Sequence, residues 1–177
     1  SAGPLPQDSA GKEESTMASN HTSHVYVGLA GETAPGRIVK SGLYRLAVGA
    51  DHWEVLSRGL PEAPAIRATA VHPDNPEIVY VGTQHGPYRT EIYRSDDAGE
   101  RWQQLPVTVR FPEVTVAPGA NPAKRILGLS ANPSASNELY GAIEVGGIIR
   151  SLDGGEHWEN MSHGHYLNDD TVDMHGV

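Results

Sequence analysis

The densest group of residues able to do chemistry lies near the end of the chain. It reads His163-Gly164-His165-Tyr166-Leu167-Asn168-Asp169-Asp170, followed by Asp173 and His175. Imidazole and carboxylate are the ligand types of Zn²⁺ and related divalent ions. Two His separated by one residue point to the same side of an extended chain. His163, His165, Asp169, Asp170 and His175 are therefore a candidate metal set. The competing reading is a glycine-containing loop whose His and Asp are simply solvated. The other His carry less: His52 and His157 each precede a Trp and read as surface, and His72 sits in a proline-rich turn that it can cap.

The elements that would hold such a site follow from a phrase written three times. Ile149-Arg150-Ser151-Leu152-Asp153-Gly154-Gly155-Glu156-His157-Trp158 and Tyr93-Arg94-Ser95-Asp96-Asp97-Ala98-Gly99-Glu100-Arg101-Trp102 both fit Ser-x-Asp-x-Gly-x-x-Trp. Tyr44-Arg45-Leu46-Ala47-Val48-Gly49-Ala50-Asp51-His52-Trp53 is a worn copy. The only three Trp of the chain close the three copies, 49 and then 56 residues apart. Repetition at this period marks a repeat architecture. Within each full copy an apolar strand meets Asp and Gly, which build a tight turn, and Trp opens the returning strand. Ser95, Asp97, Gly99, Trp102, Ser151, Asp153, Gly155 and Trp158 are thus expected to be structural.

The phrase resembles the Asp-box, or BNR repeat, of sialidase-like β-propellers, and with its flanking strands the resemblance covers roughly residues 24 to 177. It implies an all-β fold of four-stranded antiparallel blades, about three per chain, with the box between the third and fourth strands. The flanking sequence agrees. Val25-Tyr26-Val27-Gly28, Ile78-Val79-Tyr80-Val81-Gly82 and Glu138-Leu139-Tyr140-Gly141 read as second strands. Ile66–Val71 and Ile126–Ser130, each followed by a Pro-Asn turn, read as first strands. The segment Thr171–Val177 looks like a further first strand, the one the earliest set lacks. Gly86-Pro87-Tyr88-Arg89 and Thr90-Glu91-Ile92-Tyr93-Arg94 are two strand openings in succession. They admit two readings, a long strand with a chance echo or the loss of about one blade between them.

In such propellers the ligand face carries the loops after the second and fourth strands. By that analogy the ligand-binding candidates are Glu32, Arg37, His85, Arg110, Glu144 and Asp173, with Lys40, Glu113, Lys124 and Arg125 nearby. A sialidase catalytic set is not assigned, because the expected Phe-Arg-Ile-Pro phrase has only a scrambled echo in Arg110-Phe111-Pro112. Related propellers occur in xyloglucan-degrading enzymes and in assembly factors of photosynthetic complexes, whose specific residues find no match.

Composition narrows the partners. The 177 residues include 20 Gly, 13 Pro and one Phe, which suits short strands and turns. Cysteine is absent, so neither disulfides nor thiolates contribute. A formal charge of −9 with scattered Lys and Arg speaks against nucleic acid. No apolar run has transmembrane length and no signal peptide is visible, so a cytoplasmic, membrane-free setting is expected, with the two sequons at Asn20 and Asn160 read as chance matches. Residues 1–23 are expected to be a disordered leader, with Met17 as an original start. The expected function is a binding module holding a small molecule or glycan in a polar pocket. The alternatives are a hydrolase using the same pocket, with a divalent metal such as Zn, and a shortened or engineered propeller that self-assembles. Three blades are too few to close a ring, so a homodimer with six blades is the expected partner state.

Overall fold

A computed structural model describes residues 22–31, 40–85, 89–109, 111, 124–162 and 177, with the backbone alone at His85 and Arg89. These residues form three antiparallel sheets and no helix. The first sheet is β1 (His24–Leu29), β2 (Gly42–Ala47) and β3 (Glu54–Leu56). The second is β4 (Ala65–Val71), β5 (Val79–His85), β6 (Arg89–Ser95) and β7 (Gln103–Gln104). The third is β8 (Ile126–Ala131), β9 (Leu139–Ile143), β10 (Gly147–Ser151) and β11 (Glu159–Asn160). Each is a meander whose strands pair in sequence order, which is a propeller blade. The chain is a partial β-propeller.

The expected first strands are β4 and β8, and β4 lies between β1 and β8. The first blade shows three strands; the candidate for its fourth, Thr171–Val177, falls outside the described residues except for Val177. The two strand openings at Arg89 and Thr90 belong to one strand, β6, paired without interruption from His85↔Arg89 to Val79↔Ser95. His72 caps its turn as expected: its Nδ1 accepts the amides of Asp74 and Asn75 at 3.2 and 3.1 Å.

The core consists of the two joints between blades. Leu43, Leu56, Ile66, Val79, Val81, Tyr93 and Trp102 fill the first. Tyr80, Ile92, Leu105, Ile126, Leu139, Ile149 and Trp158 are among those that fill the second. The period-two alternation of the strands sends one face of each blade to the blade before it and the other to the blade after.

Three contacts recur in both joints. Near the axis, an Ile of the later blade lies over a Gly of the earlier one. A Cβ on Gly28 would stand 2.4 Å from Ile66 Cγ2, and one on Gly82 would stand 2.4 Å from Ile126 Cγ2. Farther out, a Leu at or just past the end of the last strand seats on the box glycine of the next blade. A Cβ on Gly99 would be 2.7 Å from Leu56 Cδ1, and one on Gly155 would be 2.5 Å from Leu105 Cδ1. Finally, an Arg reaches a main-chain oxygen in the next box. Arg45 Nη1 donates to Ala98 O at 2.8 Å, joined by Tyr26 OH at 2.9 Å, and Arg94 Nη1 approaches Gly154 O at 3.4 Å. Arg45 is itself held by Glu54 at 2.5 Å and Glu100 at 2.6 Å.

The Ile-on-Gly contact yields a direct test. Gly82→Ala should destabilise the fold by about 1–3 kcal/mol, because the joint has no room for a methyl group. In an Ile126→Ala background that penalty should largely vanish. Denaturant titration of the double-mutant cycle measures the coupling; additive effects would show that the close approach is not the cause.

Candidate functional site

The β5–β6 and β9–β10 hairpins turn at the same end of the blades at which β4 and β8 begin. Polar side chains collect there. Arg67 Nε donates to Gln84 Oε1 at 2.9 Å. Thr90 Oγ1 donates to the Lys124 carbonyl at 2.7 Å, and Lys124 Nζ donates to the Val145 carbonyl. Lys124 Nζ also stands 5.9 Å from the centre of the Phe111 ring. Each of these bonds ties the start of a first strand to a neighbouring hairpin.

Arg125 and Glu144 face one another at this end. Arg125 Nε lies 3.4 Å from Glu144 Oε2, and the Glu144 amide donates to the Arg125 carbonyl at 2.8 Å. Both side-chain atoms are buried, yet neither makes a hydrogen bond. The two form an ion pair without a hydrogen bond, and unmet hydrogen-bonding capacity costs about 1–3 kcal/mol per buried group.

Glu91 lies deeper, in the joint between the first and second blades. Its Oε2 accepts Tyr93 OH at 3.2 Å and faces Thr83 Oγ1 at 3.5 Å. All three residues are buried. Burial, reinforced by the Glu91 charge and hydrogen bond, pushes the Tyr93 phenol up to about 12, so it remains a neutral donor throughout the physiological range.

Of the residues expected from sequence to bind ligand, Glu144 is placed at this polar end. His85 closes β5 opposite Arg89, with only its backbone described. Glu32, Arg37, Arg110 and Asp173 lie outside the described residues, as does the whole candidate metal set His163, His165, Asp169, Asp170 and His175. Among the described residues no group of three or more His, Asp or Glu could hold a metal ion. Sequence reading passed over Glu91 and Thr83. The available signal was an alternation: Glu91 shares a strand face with the buried Tyr93 and Ser95.

The eight box residues sit at the opposite end, where they build the turn between the third and fourth strands. Ser95 Oγ accepts the Gly99 amide at 2.8 Å and donates to Asp97 Oδ1 at 2.8 Å. Asp97 Oδ1 also accepts the Arg101 amide at 2.9 Å, and Trp102 Nε1 donates to the Gly99 carbonyl at 3.0 Å. The third blade repeats this set through Ser151, Asp153, Gly155, His157 and Trp158. Gly99 and Gly155 take φ of 99° and 102°, which a side chain would disfavour. Burial pushes the Asp97 carboxyl up, but the Arg101 amide and Ser95 hydroxyl outweigh it and hold it low. The Asp153 carboxyl is drawn down to about 2 by the His157 amide and then by the His157 ring.

No protein-family model matches the chain, and no curated protein sequence does. Solved structures do. The GH74 xyloglucanase from Xanthomonas campestris superposes with a TM-score of 0.56 at 22% identity, over 75% of this chain and 20% of that one. The GH74 enzyme of Niastella koreensis gives 0.57 at 17% identity, over 77% and 22%. An ancestral GH74 enzyme gives 0.51 at 16% identity, over 71% and 17%. The chain thus spans about a fifth of the length of each. Likeness at this level establishes the shared β-propeller fold and leaves activity to the site itself.

The box carboxylate sets a pH limit. Its folded pKa lies below the ordinary 3.8, so its contribution to stability is complete above about pH 4 and lost as the pH falls toward 2. Asp153→Asn should remove that part of the acid dependence while lowering stability at neutral pH. Thermal melts between pH 2 and 5 for both proteins measure it; parallel curves would show that Asp153 does not titrate with folding.

Proposed function

We propose that the hairpin end of the second and third blades recognises a polyhydroxylated small molecule or glycan. The observation that supports this reading is the Arg125–Glu144 ion pair, whose facing buried atoms stand 3.4 Å apart and make no hydrogen bond. Vicinal hydroxyls can donate to a carboxylate while accepting from a guanidinium, which meets both requirements at once. Fixed polar groups of both signs, already tied to strand ends, hold that geometry before a ligand arrives. We also read the two full Ser-x-Asp-x-Gly-x-x-Trp turns as Asp-boxes of the sialidase-like type. Their hydrogen bonds support the reading.

The likeness to a xyloglucanase propeller makes a xyloglucan oligosaccharide a sensible first probe within a wider glycan panel. Glu144→Gln and Arg125→Gln should each weaken binding by about tenfold, equivalent to ~1.4 kcal/mol, with melting temperature close to wild type. Calorimetric titration reads this. A chain that binds no glycan of the panel, or binds equally well after both substitutions, would overturn the proposal.

A further inference from the structure

Among the described residues, the contacts that join the blades have unmatched halves on the first and third blades. On the first blade, the face that would meet a preceding blade is exposed among the described residues. Val25, Val27 and Trp53 are 48%, 36% and 45% exposed, whereas their counterparts Val79, Val81 and Trp102 are 0%, 0% and 6% exposed. The worn box still makes the turn. Gly49 has φ 92°, matching Gly99 and Gly155. The Val48 amide donates to Ser23 O, as Ala98 donates to Glu77 O and Gly154 to Asn137 O. The Val48 carbonyl therefore holds the place that Arg45 and Arg94 address in the next blades. Nothing lies within 4 Å of where a Cβ on Gly49 would stand, the seat that Leu56 and Leu105 fill on Gly99 and Gly155.

The third blade carries the matching parts. Met161 follows Trp158 at the interval by which Leu56 follows Trp53 and Leu105 follows Trp102. Its amide donates to Ile148 O as that of Leu105 donates to Ile92 O. Arg150 aligns with Arg45 and Arg94, and is braced by Glu159 at 2.6 Å as Arg45 is by Glu54. Tyr140 aligns with Tyr26 and Tyr80.

We propose that the third blade of one copy docks on the exposed face of the first blade of a second copy and rebuilds the joint there. Met161 seats on Gly49, Arg150 and Tyr140 address the Val48 carbonyl, and Trp53 is covered. A second copy suits this face because its third blade offers, at the matching positions, the Arg, Tyr and long apolar side chain that form the first joint. Met in place of Leu suits a seat formed by a worn turn, since its thioether adapts to irregular gaps. The pairing is head-to-tail, and two copies meeting twice in this way make six blades, within the range at which propellers close. The inner contact is altered on both sides: Ala142 stands where Gly28 and Gly82 receive an Ile, and among the described residues no strand pairs with the free edge of β1. The joint between copies is therefore carried by the outer strands and the box. This inference does not depend on the glycan reading.

Sedimentation and light scattering of the full chain at roughly 100 µM should give twice the 18.9 kDa chain mass, this being well above the range in which specific interfaces associate. Trp53→Asp and Met161→Asp should each give monomers with an unchanged circular-dichroism spectrum, while Met161→Leu keeps the dimer. The chain has no cysteine, so pairing can be read by cross-linking. Ala50→Cys mixed with Met161→Cys should form a disulfide-linked pair under mild oxidation, and neither variant alone should do so. A monomer at every concentration would overturn the proposal, as would Ala50→Cys cross-linking to itself. So would a monomer whose Trp53 fluorescence responds to a xyloglucan oligosaccharide, because that face would then be a ligand surface.

Discussion

Each full box turn holds its shape because one serine hydroxyl serves two masters. Ser95 Oγ takes the amide of Gly99 and gives its own proton to Asp97, which then takes the amide of Arg101. With those amides satisfied, the chain can leave the strand, run through a left-handed glycine and return with Trp102 laid across the turn. The result is a rigid knuckle with a shallow seat at the glycine and an outward main-chain oxygen beside it. The preceding blade needs both features. Leu56 occupies the seat and Arg45 grips the oxygen, and the arrangement recurs with Leu105 and Arg94 one blade later. In these two boxes the serine–aspartate network holds the seat and the oxygen in position.

The polar end depends on this frame at a distance. Glu91, Arg125 and Glu144 stand where first strands begin and hairpins turn, so their spacing follows from how one blade is set against the next. The Ile66–Gly28 and Ile126–Gly82 contacts fix that setting close to the axis. A chemistry-bearing group on a hairpin is placed by packing that lies a sheet's length away. The apolar joints carry stability, and the buried polar atoms that make no hydrogen bond add little to it.

Much of the frame was legible in the sequence. Turn chemistry spaced at blade intervals, with Val-Tyr-Val-Gly and Ile-Val-Tyr-Val-Gly before it, is enough to place second and third strands and the box residues. What escaped was whatever passes between blades. The partner of Gly82 is Ile126, 44 residues on, and no local pattern links a glycine in one strand to an isoleucine in another. The first box was legible only as a worn copy: it drops one residue before its glycine and regains one before Trp53, so counting back from the Trp pairs Ala50 with Gly99, while the backbone pairs Gly49 with it. Glu91 was hidden because a strand position facing the core is expected to be apolar. Most of the proposed binding residues were chosen by analogy of loop position, and only Glu144 can be placed among its neighbours.

The grip of Arg45 on Ala98 has a meaning for how such a chain can change over time. The guanidinium binds an oxygen that every residue possesses, so the lock ignores the identity of the residue that fits it. Ala98 and Gly154 already differ at that point without loss of the approach. A box can therefore lack the serine and the aspartate, as the first copy does, and still present that oxygen while the path of the main chain survives. Divergence in lettering and fidelity in assembly are separable in this architecture, because the message is carried by the backbone.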